Sequence, residues 1–212
     1  ATQLLGSQND MATIRLQSFD SRSKDKDYEG VIMNSRINVV PYDASLQKLA
    51  SSFHLGNSYL DRFLCDPISL DDGFGKTCIF LSSDNKMIIG YYNLGTGYIE
   101  ENDDGIIRKI GGAVHINCFA LDEKFHGVLQ TVTNDGVKVN LSDLLLDDCL
   151  ERIENMRREC VGFAFVTLNS TKEGYSLYLR NGFENLEEDM NFAIEDSDQE
   201  CIPMYYIMDL EM

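Results

Sequence analysis

Positive charge is scarce in this chain: 18 lysines and arginines stand against 35 aspartates and glutamates, leaving a formal net charge of −17 over 212 residues. Such a balance repels phosphate backbones at long range and argues against nucleic acid as the main partner. It would draw in a cationic partner, an amine or a basic protein segment, although a role in solubility alone accounts for it more simply. Long hydrophobic runs are missing too. Nothing approaches the roughly 20 apolar residues that a bilayer crossing requires, and the opening ATQLLGSQND has neither the basic start nor the apolar core of a secretory signal. No membrane partner is expected, and the chain reads as cytoplasmic. Cys65, Cys78, Cys118, Cys149, Cys160 and Cys201 show no CxxC spacing. Most sit within apolar segments, which predicts buried free thiols in a reducing compartment rather than disulfides or a zinc site, and no metal is expected. Residues 1–30 have no hydrophobic period and read as an irregular arm, with Met11 a candidate start, while residues 31–212 form one domain.

The pattern that is present changes period along the chain. Ile37, Val39 and Val40 belong to a first strand that Pro41 ends. Leu46, Leu49, Ala50 and Phe53 then recur on one helical face, with Gly56 as the stop. Asn57 or Ser58 caps a second helix carrying Leu60, Phe63 and Leu64. After a loop over 67–76 the period becomes two, so 77–81 and 87–93 predict a β-hairpin, followed by an acidic excursion over 98–104 read as a solvated turn. In the next strand, 110–121, alternation sets Val114, Ile116 and Cys118 on one face and His115, Asn117 and Phe119 on the other. A loop over 128–140 leads to an amphipathic helix over 141–157, capped by Asn140 or Ser142. Residues 161–168 are β-branched and aromatic and predict a buried strand. Strand, helix and parallel strand make a right-handed βαβ unit. Ser170 or Thr171 caps a short helix that Gly182 ends, with Phe183 folding back on it. Segments 190–193 and 204–208, around an acidic turn over 195–200, predict an antiparallel hairpin with Pro203 at a strand start.

Two of these segments carry a resemblance. Tyr178-Leu179-Arg180-Asn181-Gly182-Phe183 resembles the Y-x-x-x-G-F signature of the GNAT superfamily of acyl-CoA N-acyltransferases. Upstream, Phe119-Ala120-Leu121-Asp122 running into Glu123-Lys124-Phe125-His126-Gly127 resembles that family's fourth strand, which ends in L-x-V-D and enters a Q/R-x-x-G-x-G/A loop. Here His126-Gly127 stands where Gln-Gly or Arg-Gly is usual, the insert 128–140 interrupts the pattern, and Ser142 replaces its last Gly or Ala. Residues 56–67 are similar to the helix-pair segment of toxin-like members, which lines the acceptor side of the cleft.

The resemblance implies an α/β fold over about residues 37–208: a GNAT-type mixed, centrally splayed β-sheet flanked by helices. It implies N-acetyl transfer from acetyl-CoA to a primary amine, of a small molecule or a protein, by direct attack in a ternary complex. In that reading a backbone N–H among Phe119, Ala120 and Leu121 faces the thioester carbonyl, and Asn169 lies near the pantetheine arm. His126, Gly127, Lys138, Leu141 and Ser142 gather the phosphates, where a helix N-terminus offers N–H groups but Asp143 brings opposing charge. Tyr178 donates the proton to the CoA sulfur, with Tyr175 as its substitute; for the base, His115 is one candidate, since imidazole titrates in a useful range, beside water relays and an acidic group of the 98–104 segment. A homodimer is one expected assembly, and an antitoxin protein is the partner implied by a toxin-like member. Two rival readings are a non-catalytic GNAT-like binding module and a toxin-type enzyme acting on aminoacyl-tRNA.

Overall fold

In the computed structural model residues 37–132, 138–192 and 201–208 are described. The arm over 1–30 and the turn over 195–200 lie outside them. The first strand, β1 (Asn38–Pro41), pairs only with β2 (Lys76–Leu81), so Pro41 closes an edge strand, where its missing donor costs least. Between them run two short helices, α1 (Gln47–Ala50) and α2 (Ser58–Phe63), and a 3-10 turn over Pro67–Leu70. Asn57 caps α2 as expected, its side chain accepting from the N–H groups of Tyr59 and Leu60.

The sheet is dominated by β3 (Ile88–Asp103) and β4 (Ile106–Leu121), two 16-residue strands in antiparallel register. This corrects the reading of 98–104 as a loop. Asp104 and Gly105 have φ of +50° and +89°, so the pair forms a two-residue turn whose twist matches the strands it joins. The Asp-Gly dipeptide was the signal for it.

After a 3-10 turn over Glu123–Phe125, β5 (Leu129–Val132) and β6 (Lys138–Asn140) pair antiparallel as a separate two-stranded sheet. The insert is therefore a β-hairpin at its base rather than the expected loop; Val137 and Val139 alternate along the second arm of its sequence. Helix α3 (Leu141–Glu159) follows, then β7 (Phe165–Ser170), α4 (Tyr175–Arg180), β8 (Glu184–Asn185), β9 (Met190–Phe192) and β10 (Ile202–Ile207). Strand β7 starts four residues later than the apolar run suggests, and Val161 is exposed. The segments 190–193 and 204–208 do not pair with each other among the described residues. Instead β9 adds to the far half of β3, and β10 lies between β7 and β8. The long β3, unforeseen in the sequence, offers β9 a free edge.

The main sheet runs β1-β2-β3-β4-β7-β10-β8, with β9 beside β3, and only β4 and β7 are parallel. Helices α3 and α4 cover one face, burying Leu145, Leu146, Cys149, Ile153 and Leu177 against Tyr92, Val114, Val166 and Met204. Helices α1 and α2 cover the other, packing Ala50 and Phe63 on Ile79, Tyr91 and Ala120. Tyr92 donates to Asp148 (2.6 Å), Arg152 bonds the same oxygen (2.9 Å), and Arg152 also reaches the Val39 carbonyl (2.8 Å), tying α3 to β3 and to the edge strand.

Asp143 ties the two helices of the first face together. Its Oδ1 pairs with Arg180 (2.8 Å), at the end of α4, and its Oδ2 accepts the Asn140 N–H (2.9 Å) at the start of α3. Asp143→Ala removes a first-turn bond and the partner of Arg180 together, and is expected to cost about 2 kcal/mol in urea unfolding. Arg180→Ala is expected to cost about 1 kcal/mol, and the double variant less than the sum of the two, because both remove one shared contact.

Candidate active site

The centre of the sheet comes apart. Strands β4 and β7 pair over four positions, from Ala113 opposite Phe165 to Ile116 opposite Leu168. Beyond that point β4 continues with β3 alone, and Asn169 and Ser170 of β7 pair with β10 alone. The side of β4 that faces β7 thus has no strand partner from Asn117 to Leu121, the stretch whose backbone was expected to face a thioester.

A β-bulge accompanies the separation. Asn93 of β3 stands opposite Cys118 and Leu94 opposite Ile116, so Asn117 is the extra residue. It inverts the alternation read from the sequence. Val114 and Ile116 face α3, but past the bulge it is Phe119 and Leu121 that do so, while Cys118 and Ala120 join the α1 and α2 side. The predicted grouping of Cys118 with Val114, and of Phe119 with His115, is therefore wrong. One unpaired residue shifts every later side chain to the opposite face.

On the α3 side, Tyr178 closes the wedge. Its helix is set by Gly182, at φ +87°, and by Phe183, whose N–H returns to the Tyr178 carbonyl (3.1 Å). Thr171 accepts the Gly174 N–H ahead of the helix, while Ser170 bonds the Thr171 carbonyl instead. The Tyr178 ring meets Phe119 edge-on at 6.1 Å and Phe183 at 5.6 Å. It is 7% exposed. Burial first, then the nearby Cys149 and Cys118 thiols, push its hydroxyl above the ordinary phenol range, so it keeps its proton. Tyr175 is less suited, since its hydroxyl donates to Asn185 at the surface.

The expected phosphate end is only partly free. Leu141 is wholly buried and its N–H donates to the Val128 carbonyl (3.3 Å), which leaves Ser142 as the less buried residue of the first turn. His126 bonds the Leu121 carbonyl through Nε2 (2.8 Å), which makes that nitrogen the donor and turns the ring to a structural task. Gly127, at φ +70°, has open space where a Cβ would stand, and Lys138 is exposed on β6. Asp143 does not oppose an anion as strongly as its charge suggests, because Arg180 is paired with it.

His115, Thr167 and Asn169 face away from Tyr178. His115 Nδ1 lies 2.8 Å from Thr167 Oγ1, and Phe192 covers the ring edge-on at 5.8 Å. Only 4% exposed, the imidazole is held down to about 4 by burial, so it is neutral at physiological pH and a poor base. Asn169 Oδ1 is buried without a partner, and opposite it on β10 stands Pro203, which has no N–H to offer. Two features were missed in the sequence: the Arg180 pairing of Asp143, for which opposite charge was the only signal, and the fully buried Asp122. Its carboxylate accepts the N–H groups of His54 and Lys124 (both 3.1 Å) and pins the end of β4 to the α1–α2 connection. Three cysteines are buried, Cys78, Cys118 and Cys149; Cys65 and Cys160 are exposed, fewer buried thiols than expected. Among the described residues no His, Cys, Asp or Glu cluster fit for a metal occurs, and no helix is long and apolar enough to cross a membrane.

No family model matches the sequence, and no curated protein does. Solved structures do. A bacterial toxin superposes at a TM-score of 0.55, with 16% identity over 81% of this chain and 91% of that one. The toxin AtaT, complexed with acetyl-methionyl-tRNAfMet, gives 0.52 at 17% identity over 74% and 93%, and AtaTR bound with acetyl-CoA gives 0.52 at 15% over 75% and 93%. A Klebsiella pneumoniae protein classed as an acyl-CoA N-acyltransferase gives 0.50 at 14% over 82% and 99%. The chain has the GNAT fold. Likeness at this identity speaks for the fold, and the splayed centre of the sheet is the part of it the sequence resemblance had implied.

The buried His115 makes a testable link to stability. Its folded value of about 4 lies below the ordinary imidazole value of 6.5, so the unfolded chain binds the extra proton between those limits and stability falls as pH drops from 6.5 toward 4. The difference is worth about 3 kcal/mol. His115→Gln is expected to lose that part of the acid sensitivity: in urea unfolding at pH 7 and pH 4.5, the wild type should weaken by more than the variant.

Proposed function

We propose that the chain is an N-acetyltransferase that moves the acetyl group of acetyl-CoA to a primary amine of a small molecule or a protein. The observation that carries this reading is the parting of β4 and β7 after Ile116 and Leu168, with Tyr178 buried against Phe119 on one side of the wedge. A thioester lying there would have the unpaired backbone of Asn117 to Leu121 beside its carbonyl, where an N–H stabilises the oxygen as it becomes anionic. The amine nitrogen attacks the carbonyl carbon, a C–N bond forms, and the C–S bond breaks. Tyr178 gives its proton to the departing sulfur, and the nitrogen's extra proton leaves to water. Burial weakens Tyr178 as an acid, but the same burial raises the proton affinity of a thiolate released beside it, so the two remain near each other.

In this reading the phosphates would lie toward Gly127, Lys138 and Ser142, with His126 bracing the end of β4 through the Leu121 carbonyl, and Asn169 would stand near the arm. The His115 imidazole, buried, covered by Phe192 and weakly basic, does not serve as the base in this reading. A toxin-like activity on aminoacyl-tRNA, as the AtaT complex suggests for that protein, fits the charge poorly. Arg152 is paired with Asp148, and Arg158 with Glu154, so the densest basic cluster is already engaged. An antitoxin-like protein partner remains compatible with the acidic surface.

Acetyl-CoA at a hundredfold excess over its dissociation constant should stabilise the fold by about 2.7 kcal/mol, raising the melting temperature by roughly 5–10 °C. Tyr178→Phe should keep that rise while slowing turnover about 100-fold or more. An unchanged melting temperature at millimolar acetyl-CoA would replace the enzyme by a non-catalytic binding module, and loss of both binding and turnover in the variant would make Tyr178 structural.

A further inference from the structure

The bulge that opens the wedge also puts an amide at its mouth, on the side opposite Tyr178. Asn117 donates through Nδ2 to the Phe74 carbonyl (3.1 Å) and to Asn93 Oδ1 (2.7 Å). Asn93 donates to Thr77 Oγ1 (2.9 Å), and Thr77 donates to the Ser69 carbonyl (2.6 Å). This chain can run in one direction only. Its two ends are backbone carbonyls, Phe74 O and Ser69 O, which accept and never donate, so reversing either amide would set oxygen against oxygen or strip Ser69 of its donor. Asn93 is fully buried and Thr77 nearly so, which raises the cost of any break.

The consequence is at the exposed end. Asn117 Oδ1 makes no hydrogen bond to a described residue and is not sealed from solvent, whereas Asn169 Oδ1 is. Gly95, the register partner of His115, lies directly beside the amide: a Cβ there would stand 2.7 Å from Nδ2 and 3.2 Å from Oδ1. The absence of a side chain on Gly95 leaves space for the amide, beside the Phe74 carbonyl that it bonds. A neutral, oriented acceptor is therefore presented next to the point where β4 leaves β7.

We propose that Asn117 Oδ1 seats the incoming amine on the acetyl-transfer reading given above, and that the Asn93, Thr77 and Ser69 chain holds it in orientation. A primary amine has two N–H groups. With one donated to Asn117, its lone pair turns away from the amide and toward the wedge, where the thioester carbon would be. The amide oxygen accepts from either protonation state of the amine, so its part is to orient the nitrogen, and the proton that must be lost before attack goes to water.

The test uses coenzyme A alone and a bisubstrate probe, coenzyme A whose sulfur carries a CH2–CO–NH–CH3 group, so that an N–H occupies the amine's place. Calorimetric titration of the full chain should give a probe affinity that falls about tenfold in Asn117→Leu, the worth of one buried hydrogen bond, with the affinity for coenzyme A within about twofold of wild type. Thr77→Val, far from the ligand and nearly the same shape, frees the amides to turn and should erode the same preference for probe over coenzyme A. Gly95→Ala should do likewise by displacing the amide. Probe binding unchanged in these variants, or coenzyme A and probe weakened equally, overturns the role of Asn117. A wild-type protein that binds neither compound overturns the acetyl-transfer reading itself, a separate result.

Discussion

One extra residue in β4 governs the centre of this molecule. Parallel strands hold together through evenly spaced, slanted hydrogen bonds, and a bulge in one of them breaks that spacing while increasing the local twist. The pairing of β4 with β7 stops at Ile116, and Asn117 is the residue in excess. From this the rest follows: Phe119 turns to meet Tyr178, Cys118 turns to the opposite face, and five residues of backbone are left without a strand on one side. The helices on both faces keep the sheet from re-closing. Tyr178 fills the wedge from the α3 side, and the amide chain from Asn117 to Ser69 braces it from the other.

Much of this architecture is legible in the residues. Asn57 as a cap, Gly182 and Phe183 as a helix stop, the first hairpin and the amphipathic α3 all fall where local chemistry places them, because each depends on contacts within a few positions. What the sequence hides is whatever depends on registration between distant strands. The Asn117 bulge has no local signature, so strict alternation put Cys118 and Phe119 on the wrong faces. The apolar residues 190–192 and 202–207 suit any strand edge, and only the unforeseen length of β3 decides that β9 goes there. Asp104-Gly105 was the exception, a readable hairpin signal passed over because acidic residues on both sides looked like a solvated loop. The candidate site divides the same way: Tyr178 comes from a motif, while the orientation of Asn117 comes from carbonyls contributed by 69 and 74.

Charge behaves differently near the wedge than over the whole surface. A net charge of −17 would seem hostile to a ligand bearing phosphates. Yet the acid closest to the expected phosphate end, Asp143, is already paired with Arg180 and bonded to the Asn140 N–H, and is mostly buried. Its charge is spent on fixing the first turn of α3 to the end of α4, the two elements that border the wedge on that side. A substitution that freed this carboxylate would therefore harm anion binding twice, by releasing negative charge and by loosening the helix whose N–H groups would face the anion.

Burial acts on Tyr178 and on His115, on the opposite face of the sheet, in opposite senses, and the outcome is the same. It lifts the Tyr178 phenol and lowers the His115 imidazole to about 4, so both are uncharged throughout the physiological range. On the proposed reading, a wedge of this kind would offer dipoles in place of ions: the backbone of β4 beyond Ile116, the Tyr178 O–H and the Asn117 amide oxygen. Dipoles fixed in advance stabilise charge that appears during acyl transfer without having to reorganise. They do little to strip a proton from a bound ammonium, since His115 at about 4 lies several units below an ordinary amine. On the acetyl-transfer reading proposed above, the amine would have to lose its proton to water before attack. On that reading the acidic exterior and the uncharged interior would divide the work, the surface drawing in a cationic amine and the wedge holding its neutral form.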